Sequence, residues 1–360
     1  MYNVGVFPGK FFPPHRGHLN AIIQASTRAD RLYVVVSDDM NIANEVCKKE
    51  ILPNMPLELR AKWLSIELQN IDHIKVIILD ETGIPPYPHG CEPWAKKLIE
   101  TVPEKFEVIF GGEEEYGNTY MKSMPGIYYE LYDRRRNRYP ISATEIRTDY
   151  LKSWDYILGS AREFFARRVL ITGTESCGKT TLVRYLAKVF YTSWSEEEGR
   201  YYPSKYLGGN DKLLSTEDFF RIAFLQQMQD EEALALRSAN KIVFFDSDAV
   251  VTQFYCKMYT GEYNPSIERF VNPDKYDVVL MLTPDVRWVA DGMRWKSERE
   301  ERMRLHNELV DMYKDRGFKR TITVDSGSYT HRLQQAIGVS DEMVVNRHCF
   351  NRHGNEPVSL

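Results

Sequence analysis

The chain has 360 residues, more than one ordinary hydrophobic core organises, so two domains are expected. Hydrophobic residues make up 43% and charged residues 27%, which are globular proportions and exclude a disordered chain. The formal net charge of -4 excludes a protein drawn as a whole to nucleic acid or to an anionic membrane, so any basic cluster must be argued as a local site.

The five cysteines, Cys47, Cys91, Cys177, Cys256 and Cys349, are scattered, and none forms a CxxC pair. That spacing predicts neither a zinc knuckle nor a disulfide framework, but the reduced thiols of a cytoplasmic protein. The N-terminus has no cationic segment followed by an apolar one, so no signal peptide is read there. Apolar runs such as Leu32 to Val36 have strand length and are too short for a bilayer, so no stable membrane association is expected.

Short apolar runs alternate with helical patterns along the whole chain, which predicts parallel α/β layers. In the first half strands are expected near 2–7, 31–37, 74–79 and 107–111, separated by helices near 18–28, 57–69 and 93–101. A second series follows, with strands at 167–172, 241–246, 277–282 and 319–325. Helices are expected there at 179–191 and 216–237, the latter presenting Phe220, Phe224 and Met228 on one face. The boundary is placed near 155–166, giving domains at 1–160 and 161–340 and a loosely held tail at 341–360. No Gly/Ser-rich linker separates the two series, so closely packed domains are expected.

The first strand runs into Gly9-Lys10-Phe11-Phe12-Pro13-Pro14-His15-Arg16-Gly17-His18, after which a helix begins. Gly9 lets the backbone leave the strand tightly. His15 and His18 flank a helix start, where backbone N–H groups and the helix dipole attract phosphate. Two imidazoles there can donate to polyphosphate oxygens and offset charge developing in a transition state, which is what nucleotidyl transfer requires. Residues 141–147, Ile-Ser-Ala-Thr-Glu-Ile-Arg, open another helix. Ser142 and Thr144 can cap it, Arg147 can reach the same anion, and Ser142 with Glu145 also has the spacing of an ordinary capping box.

In the second half Gly173-Thr-Glu-Ser176-Cys-Gly178-Lys179-Thr180-Thr181 forms a complete G-x-x-x-x-G-K-T phosphate loop between strand and helix. Its glycines let backbone N–H groups face a β-phosphate, Lys179 reaches β- and γ-oxygens, and Thr180 offers a hydroxyl to Mg²⁺. The strand 241–246 ends in Asp246, the expected acidic partner of that ion, followed by Ser247 and Asp248. Asp248 is read either as the base that accepts the acceptor's proton or as a cap of the next helix. Glu197 is the candidate acceptor-binding carboxylate in Glu196-Glu197-Glu198, with Arg200 beside it; a solvated turn is the alternative. The charged stretch 291–302 reads as a mobile lid whose Arg294 and Arg299 close over the phosphoryl group, or as an exposed helix face.

HxGH near the start and ISxTxxR over a hundred residues later resemble the nicotinamide-nucleotide adenylyltransferases. The resemblance implies that His15 and His18 contact ATP phosphates with Gly9 and Phe11 beside them. It places Lys10 at the triphosphate or incoming phosphate, and Ser142, Thr144 and Arg147 at the triphosphate end. Residues 80–94 resemble the loop that receives the pyridine ring, with Trp94 the stacking candidate or else a core residue. Where NadR-type members often carry a further tryptophan, this chain has Cys91. The second half, through GTESCGKTTLV, Glu197 to Arg200, LGG, FFDSD and WVADGMR, resembles the ribosylnicotinamide kinase domain of NadR-type proteins.

The implied fold is a Rossmann-like HxGH nucleotidyltransferase followed by a P-loop kinase. The implied activity is NAD salvage: nicotinamide riboside is phosphorylated by ATP to nicotinamide mononucleotide (NMN), which a second ATP adenylylates to NAD. ATP is the co-substrate and Mg²⁺ the implied cofactor. A homo-oligomer is compatible with the sequence, and nucleic acid is not an expected partner. Some relatives carry an N-terminal helix-turn-helix, for which a first strand at residue 2 leaves no room. Sulfate activation uses the same pair of domain types, and a nucleotide sensor with one degenerate domain is a further alternative. The pyridine-loop likeness and ISATEIR argue against the former, and intact Lys179, Thr180, His15 and His18 against the latter.

Overall fold

The first apolar run forms β1 (Tyr2–Gly9), the middle strand of a five-stranded, wholly parallel sheet. The computed structural model describes residues 1–86, 89–112, 117, 122–132, 138–236, 239–285, 299–325 and 327–349. The chain divides into two units, Met1–Ala161 and Arg162–Leu360. Among the described residues no helix is long and apolar enough to cross a membrane.

In the first unit β2 (Ala29–Asp38), β3 (Ile74–Asp80), β4 (Val108–Gly111) and β5 (Tyr128–Leu131) complete the sheet in the order β3-β2-β1-β4-β5. β1 and β2 are in register from Tyr2 opposite Ala29 to Gly9 opposite Val36. The run Leu32 to Val36 is buried throughout, as a central parallel strand covered on both faces must be. Helices α1 (Arg16–Ser26), α2 (Met40–Lys49), α3 (Leu57–Glu67), α4 (Cys91–Thr101) and α5 (Ala143–Thr148) follow in chain order, and α6 (Gly159–Phe165) contains the boundary between units. Because β2 and β4 flank β1, the strand order reverses there and opens a crevice at the carboxyl ends. Three elements of this unit are absent from the sequence reading, α6 among them. β5 is an exposed four-residue edge strand too short to show alternation, and α2 depends on Asp39, whose carboxylate caps it through the Asn41 N–H.

In the second unit β6 (Arg167–Thr172), β7 (Trp194–Ser195), β8 (Ile242–Asp246), β9 (Val278–Leu282) and β10 (Thr321–Val324) form another parallel sheet, ordered β10-β9-β6-β8-β7. The helices are α7 (Lys179–Val189), α8 (Glu198–Tyr206), α9 (Thr216–Ala235), α10 (Ala249–Thr260), α11 (Arg299–Asp315) and α12 (Tyr329–Val345). Val169, Ile171, Leu182, Leu186, Phe244 and Leu280 make the centre of one core, against which α12 packs Ala336 and Met343.

Two expectations fail here. The expected apolar face of α9 is not the buried one: Phe224 and Met228 are 48% and 51% exposed and Phe220 is partly buried. The buried stripe runs through Phe219, Ile222, Ala223, Gln226, Asp230 and Ala233. Two of its members are polar and satisfied by distant partners, so hydrophobic periodicity points to the wrong side. The expected tail is also core as far as residue 349, because α12 extends to Val345 and Met343 and Cys349 are buried. Residues 350–360 lie outside the described residues.

Candidate active sites

After β1 the chain turns through Phe11, at φ 47°, and reaches His15, the N-cap of α1. Gly9 leaves room for the Phe11 ring, from which a Cβ there would lie 2.9 Å. His15 accepts at Nδ1 from the backbone N–H groups of Gly17 and His18, at 3.1 and 3.4 Å. This corrects one expectation, since two N–H groups read as open to phosphate are capped by an imidazole. An imidazole accepting at Nδ1 carries its proton on Nε2 when neutral, so His15 is set as a donor. The His15 and His18 rings stack at 3.7 Å, and His18 meets the Phe11 ring edge-on at 5.1 Å.

The loop is held by two arginines. Arg60, fully buried, donates to the Lys10 carbonyl at 2.8 Å and to Asp38 at 2.9 Å. Arg147 donates to the Phe12 carbonyl and to Thr144 Oγ1 and pairs with Glu50. Their guanidinium groups lie 4.9 and 4.7 Å from the Phe12 ring. Lys10 Nζ rests 3.0 Å from Asp38 yet is 61% exposed, so it can leave Asp38 for a phosphate. Ser142 and Glu145 form the complete capping box at α5.

These groups surround one cavity of about 690 Å³, lined by Lys10, His15, His18, Ser142, Thr144 and Arg147 with Gly9 and Phe11. Trp94 borders it too, and its observed packing is that of the core reading. Its ring belongs to the core with Tyr33, Val35 and Leu98, and its Nε1–H donates to Glu81 at 2.9 Å.

In the second unit a cavity of about 340 Å³ is lined by Ser176, Gly178, Lys179, Thr180 and Thr181 from the phosphate loop and by Glu197 and Arg200. Gly173 adopts φ 146°, and a Cβ there would meet the Leu282 carbonyl at 2.7 Å. Gly178 caps α7 at φ 90° without any side-chain hydrogen bond. Lys179 is buried and donates to the Thr174 carbonyl at 3.3 Å. Burial works against its charge, but Glu197, Cys177, Asp246 and Glu175 together outweigh it and hold its pKa above the usual lysine value.

Asp246 is fully buried at the end of β8, and neither carboxylate oxygen has a hydrogen-bond partner of good geometry among the described residues. Burial, and then the Glu197 charge, push its pKa up to about 7 against the opposing influence of Lys179 and the Thr180 hydroxyl. Two unpartnered buried oxygens beside a phosphate-loop threonine fit a cation that arrives with its ligand. Among the described residues no group of three or more His, Cys, Asp or Glu could hold a metal alone, so phosphate oxygens would complete that coordination.

The three glutamates separate cleanly. Glu196 accepts from Arg184, Trp194 and Tyr201. Glu198 is buried and accepts from Gln229 at 3.2 Å. Glu197 faces the cavity. The Gln226 amide brackets it, accepting from the Glu198 N–H at 2.9 Å and donating to the Glu196 carbonyl at 3.0 Å.

Asp248 occupies the capping position. Its carboxylate caps α10 through the N–H groups of Val250 and Val251 and accepts from the Tyr313 hydroxyl at 2.5 Å. Burial raises its pKa to about 6, and its bonds to Val250, Val251 and Tyr313 are those of the capping reading. Arg299 is exposed in the first turn of α11, and Arg294 lies outside the described residues.

The structure adds cavity residues that the sequence reading missed. Thr252, Tyr255 and Tyr259 share one face of α10 and line the kinase-side cavity. Their spacing was visible, though nothing local ties it to a ligand. The Ser176, Ser247 and Tyr255 hydroxyls are buried at the cavity without hydrogen-bond partners among the described residues, the condition of a site awaiting a polar ligand.

Residues 6–149 match the cytidylyltransferase-like family and residues 168–332 the AAA domain. The trifunctional NAD biosynthesis/regulator protein NadR of Escherichia coli K12 is 31% identical over 95% of this chain and 83% of its own length. Its Salmonella typhimurium LT2 counterpart is 32% identical over the same shares. This chain belongs to the NadR family. A crystal structure of a NadR protein in complex with NAD and AMP-PNP superposes with a TM-score of 0.79 at 28% identity, covering 100% of this chain and 99% of that one. A second, in complex with NR, gives 0.78 at 27% identity over the same shares. The NadR-type architecture is thus two parallel-sheet α/β domains, nucleotidyltransferase-like and then P-loop kinase-like.

Proposed function

We propose that this NadR-family chain runs two consecutive steps of NAD salvage. The second unit phosphorylates nicotinamide riboside with ATP, and the first joins the resulting NMN to AMP from a second ATP, releasing pyrophosphate and NAD. One observation carries the reading: in each unit several of the site residues expected from sequence border a single cavity, Lys10, His15, His18, Ser142, Thr144 and Arg147 in the first and Ser176, Gly178, Lys179, Thr180, Glu197 and Arg200 in the second. NadR structures holding NAD with an ATP analogue, and NR, support the choice of substrates.

In the kinase unit the loop backbone from Ser176 to Thr180 cradles the β-phosphate, and Lys179, already charged, neutralises the β- and γ-oxygens. Thr180 and Asp246 would hold Mg²⁺, which supplies charge neutralisation at the transferring group. Glu197, held by Gln226, orients the acceptor hydroxyl, and Arg200 lines the same wall. Arg294 and Arg299 are proposed to close over the phosphoryl group. In the transferase unit NMN phosphate attacks the α-phosphorus of ATP. His15, donating from Nε2, and His18 stabilise charge on the phosphates, while Lys10 and Arg147 neutralise the triphosphate. Ser142 and Thr144 border its far end, and Trp94 offers its face to the pyridine ring.

The test is product analysis after incubation with nicotinamide riboside and Mg-ATP. Wild type is expected to make NAD, Lys179→Ala to leave riboside unchanged, and His18→Ala to accumulate NMN. Failure of wild type to form NMN would sink the kinase assignment. NMN supplied directly tests the transferase independently.

A further inference from the structure

We propose that Arg332, on the C-terminal helix α12, is the positioning residue that sets the phosphate loop of the kinase unit for ATP. The proposal rests on the kinase reading of that loop. The Arg332 side chain is 2% exposed. Its Nη1 donates to the carbonyl of Cys177, inside the loop, at 2.6 Å. Its Nη2 donates to the Thr283 carbonyl at 2.7 Å, lies 3.3 Å from Thr283 Oγ1, and pairs with Asp285. One guanidinium thus ties the loop to the end of β9.

The Cys177 carbonyl belongs to the Cys177–Gly178 peptide. In a planar trans peptide the C=O and N–H point in opposite directions. Fixing the oxygen toward α12 therefore fixes the Gly178 N–H on the other side, and Gly178 lines the ATP cavity. That N–H is one of the donors a phosphate loop presents to the β-phosphate. From inside, the Cys177 thiol at 3.0 Å and Lys179 at 3.3 Å both hold the Thr174 carbonyl. Arg332 supplies the outer restraint.

A second contact from the same helix supports this role. A Cβ built on Gly178 would lie 2.9 Å from the Tyr329 ring, so α12 approaches the loop one turn before Arg332 as well. Lysine cannot reproduce the arrangement, because an ammonium lacks the planar fork that serves separate acceptors at fixed angles.

The experiment measures kinase kinetics of Arg332→Met and Arg332→Lys in the full chain, with NMN adenylylation by the same preparations as an internal folding control. We expect KM for ATP in the kinase reaction to rise on the order of tenfold or more in Arg332→Met. Arg332→Lys should fall between it and wild type, with KM for the riboside and adenylyl transfer unchanged. An ATP KM within about twofold of wild type in Arg332→Lys, which retains charge and a donor should the methionine variant not fold, overturns the proposal. Equal rises in both KM values also overturn it, since that pattern belongs to a merely structural role. Lys179→Ala measured alongside separates the two levels: if it keeps kinase activity, the phosphate-loop reading itself has failed.

Discussion

Replacing Gln226 by leucine removes the device that selects one glutamate out of three. The Gln226 amide makes four hydrogen bonds from a side chain only 4% exposed. It accepts from the Glu198 N–H and donates to Ser195 Oγ, the Glu196 carbonyl and Asp230. Leucine fills a similar volume and makes none of these. The buried Glu198 N–H loses its acceptor and Asp230 loses one donor, while Lys275 and Ser195 still serve Asp230. An unsatisfied buried group costs about 1–3 kcal/mol, so the total is roughly 2–4 kcal/mol. For a unit of this size that lowers the melting temperature by about 5–15 °C. The larger effect is on chemistry, because Glu197 is held on both sides by this one amide. Misplacing a substrate-orienting group by about 1 Å costs on the order of 100-fold in kcat/KM. Steady-state kinase assays well below the variant's melting temperature read that loss directly, with Glu196→Gln as the neighbour expected to retain activity. A Gln226→Leu protein with a lowered melting temperature but kinase activity within about threefold of wild type would refute the bracketing argument.

Asp246→Asn gives a pH-dependent stability change of known sign. The folded-state pKa near 7 exceeds the ordinary aspartate value of 3.8, so the folded chain holds an extra proton between those limits and loses stability as pH rises through them. Above pH 7 the whole penalty, on the order of a few kcal/mol, is present without ligand. Thermal melts should show Asp246→Asn more stable than wild type at pH 8, the gap shrinking toward pH 5, with kinase activity lost and adenylyl transfer kept. A gap that widens on acidification would contradict the assignment. Arg60→Leu leaves the buried Asp38 with only the exposed Lys10 and the Asp39 N–H and frees the Lys10 carbonyl, a change expected to cost about 1–3 kcal/mol. It should abolish adenylyl transfer while the kinase survives; equal losses in both activities would contradict it.

The phosphate-handling motifs were legible because their physics is local. Gly9, His15 and His18, like Gly178, Lys179 and Thr180, act within one strand-turn-helix unit, where spacing alone settles which groups meet. Asp246 was legible as the last residue of an apolar strand. Residues whose role depends on distant partners were not. Gln226 meets Ser195 across 31 positions, Arg60 meets Lys10 across 50, and Arg332 meets Cys177 across 155. Asp248 shows the same limit from the other side. A cap and a general base look identical at the end of a strand, and the Tyr313 hydroxyl that engages this carboxylate lies 65 residues away. The α9 face was misassigned for a related reason, since a buried Gln and Asp stabilised by remote groups erase the apolar stripe that periodicity seeks.

The two units solve one problem by opposite means. In each, the loop after the middle strand of a parallel sheet ends at a helix N-terminus, where anions bind. In the transferase unit the His15 side chain occupies that terminus, engaging the Gly17 and His18 N–H groups. Under the proposed function phosphate charge there is met by side chains: the far edge of His15, His18, Lys10 and Arg147. In the kinase unit the cap is a left-handed glycine, so no side-chain cap occupies that terminus, and Lys179 stands beside it. An exposed lysine such as Lys10, 61% accessible, suits a site that must release pyrophosphate and admit a second substrate phosphate. A buried lysine locked against the Thr174 carbonyl suits a site where only the terminal phosphoryl group moves.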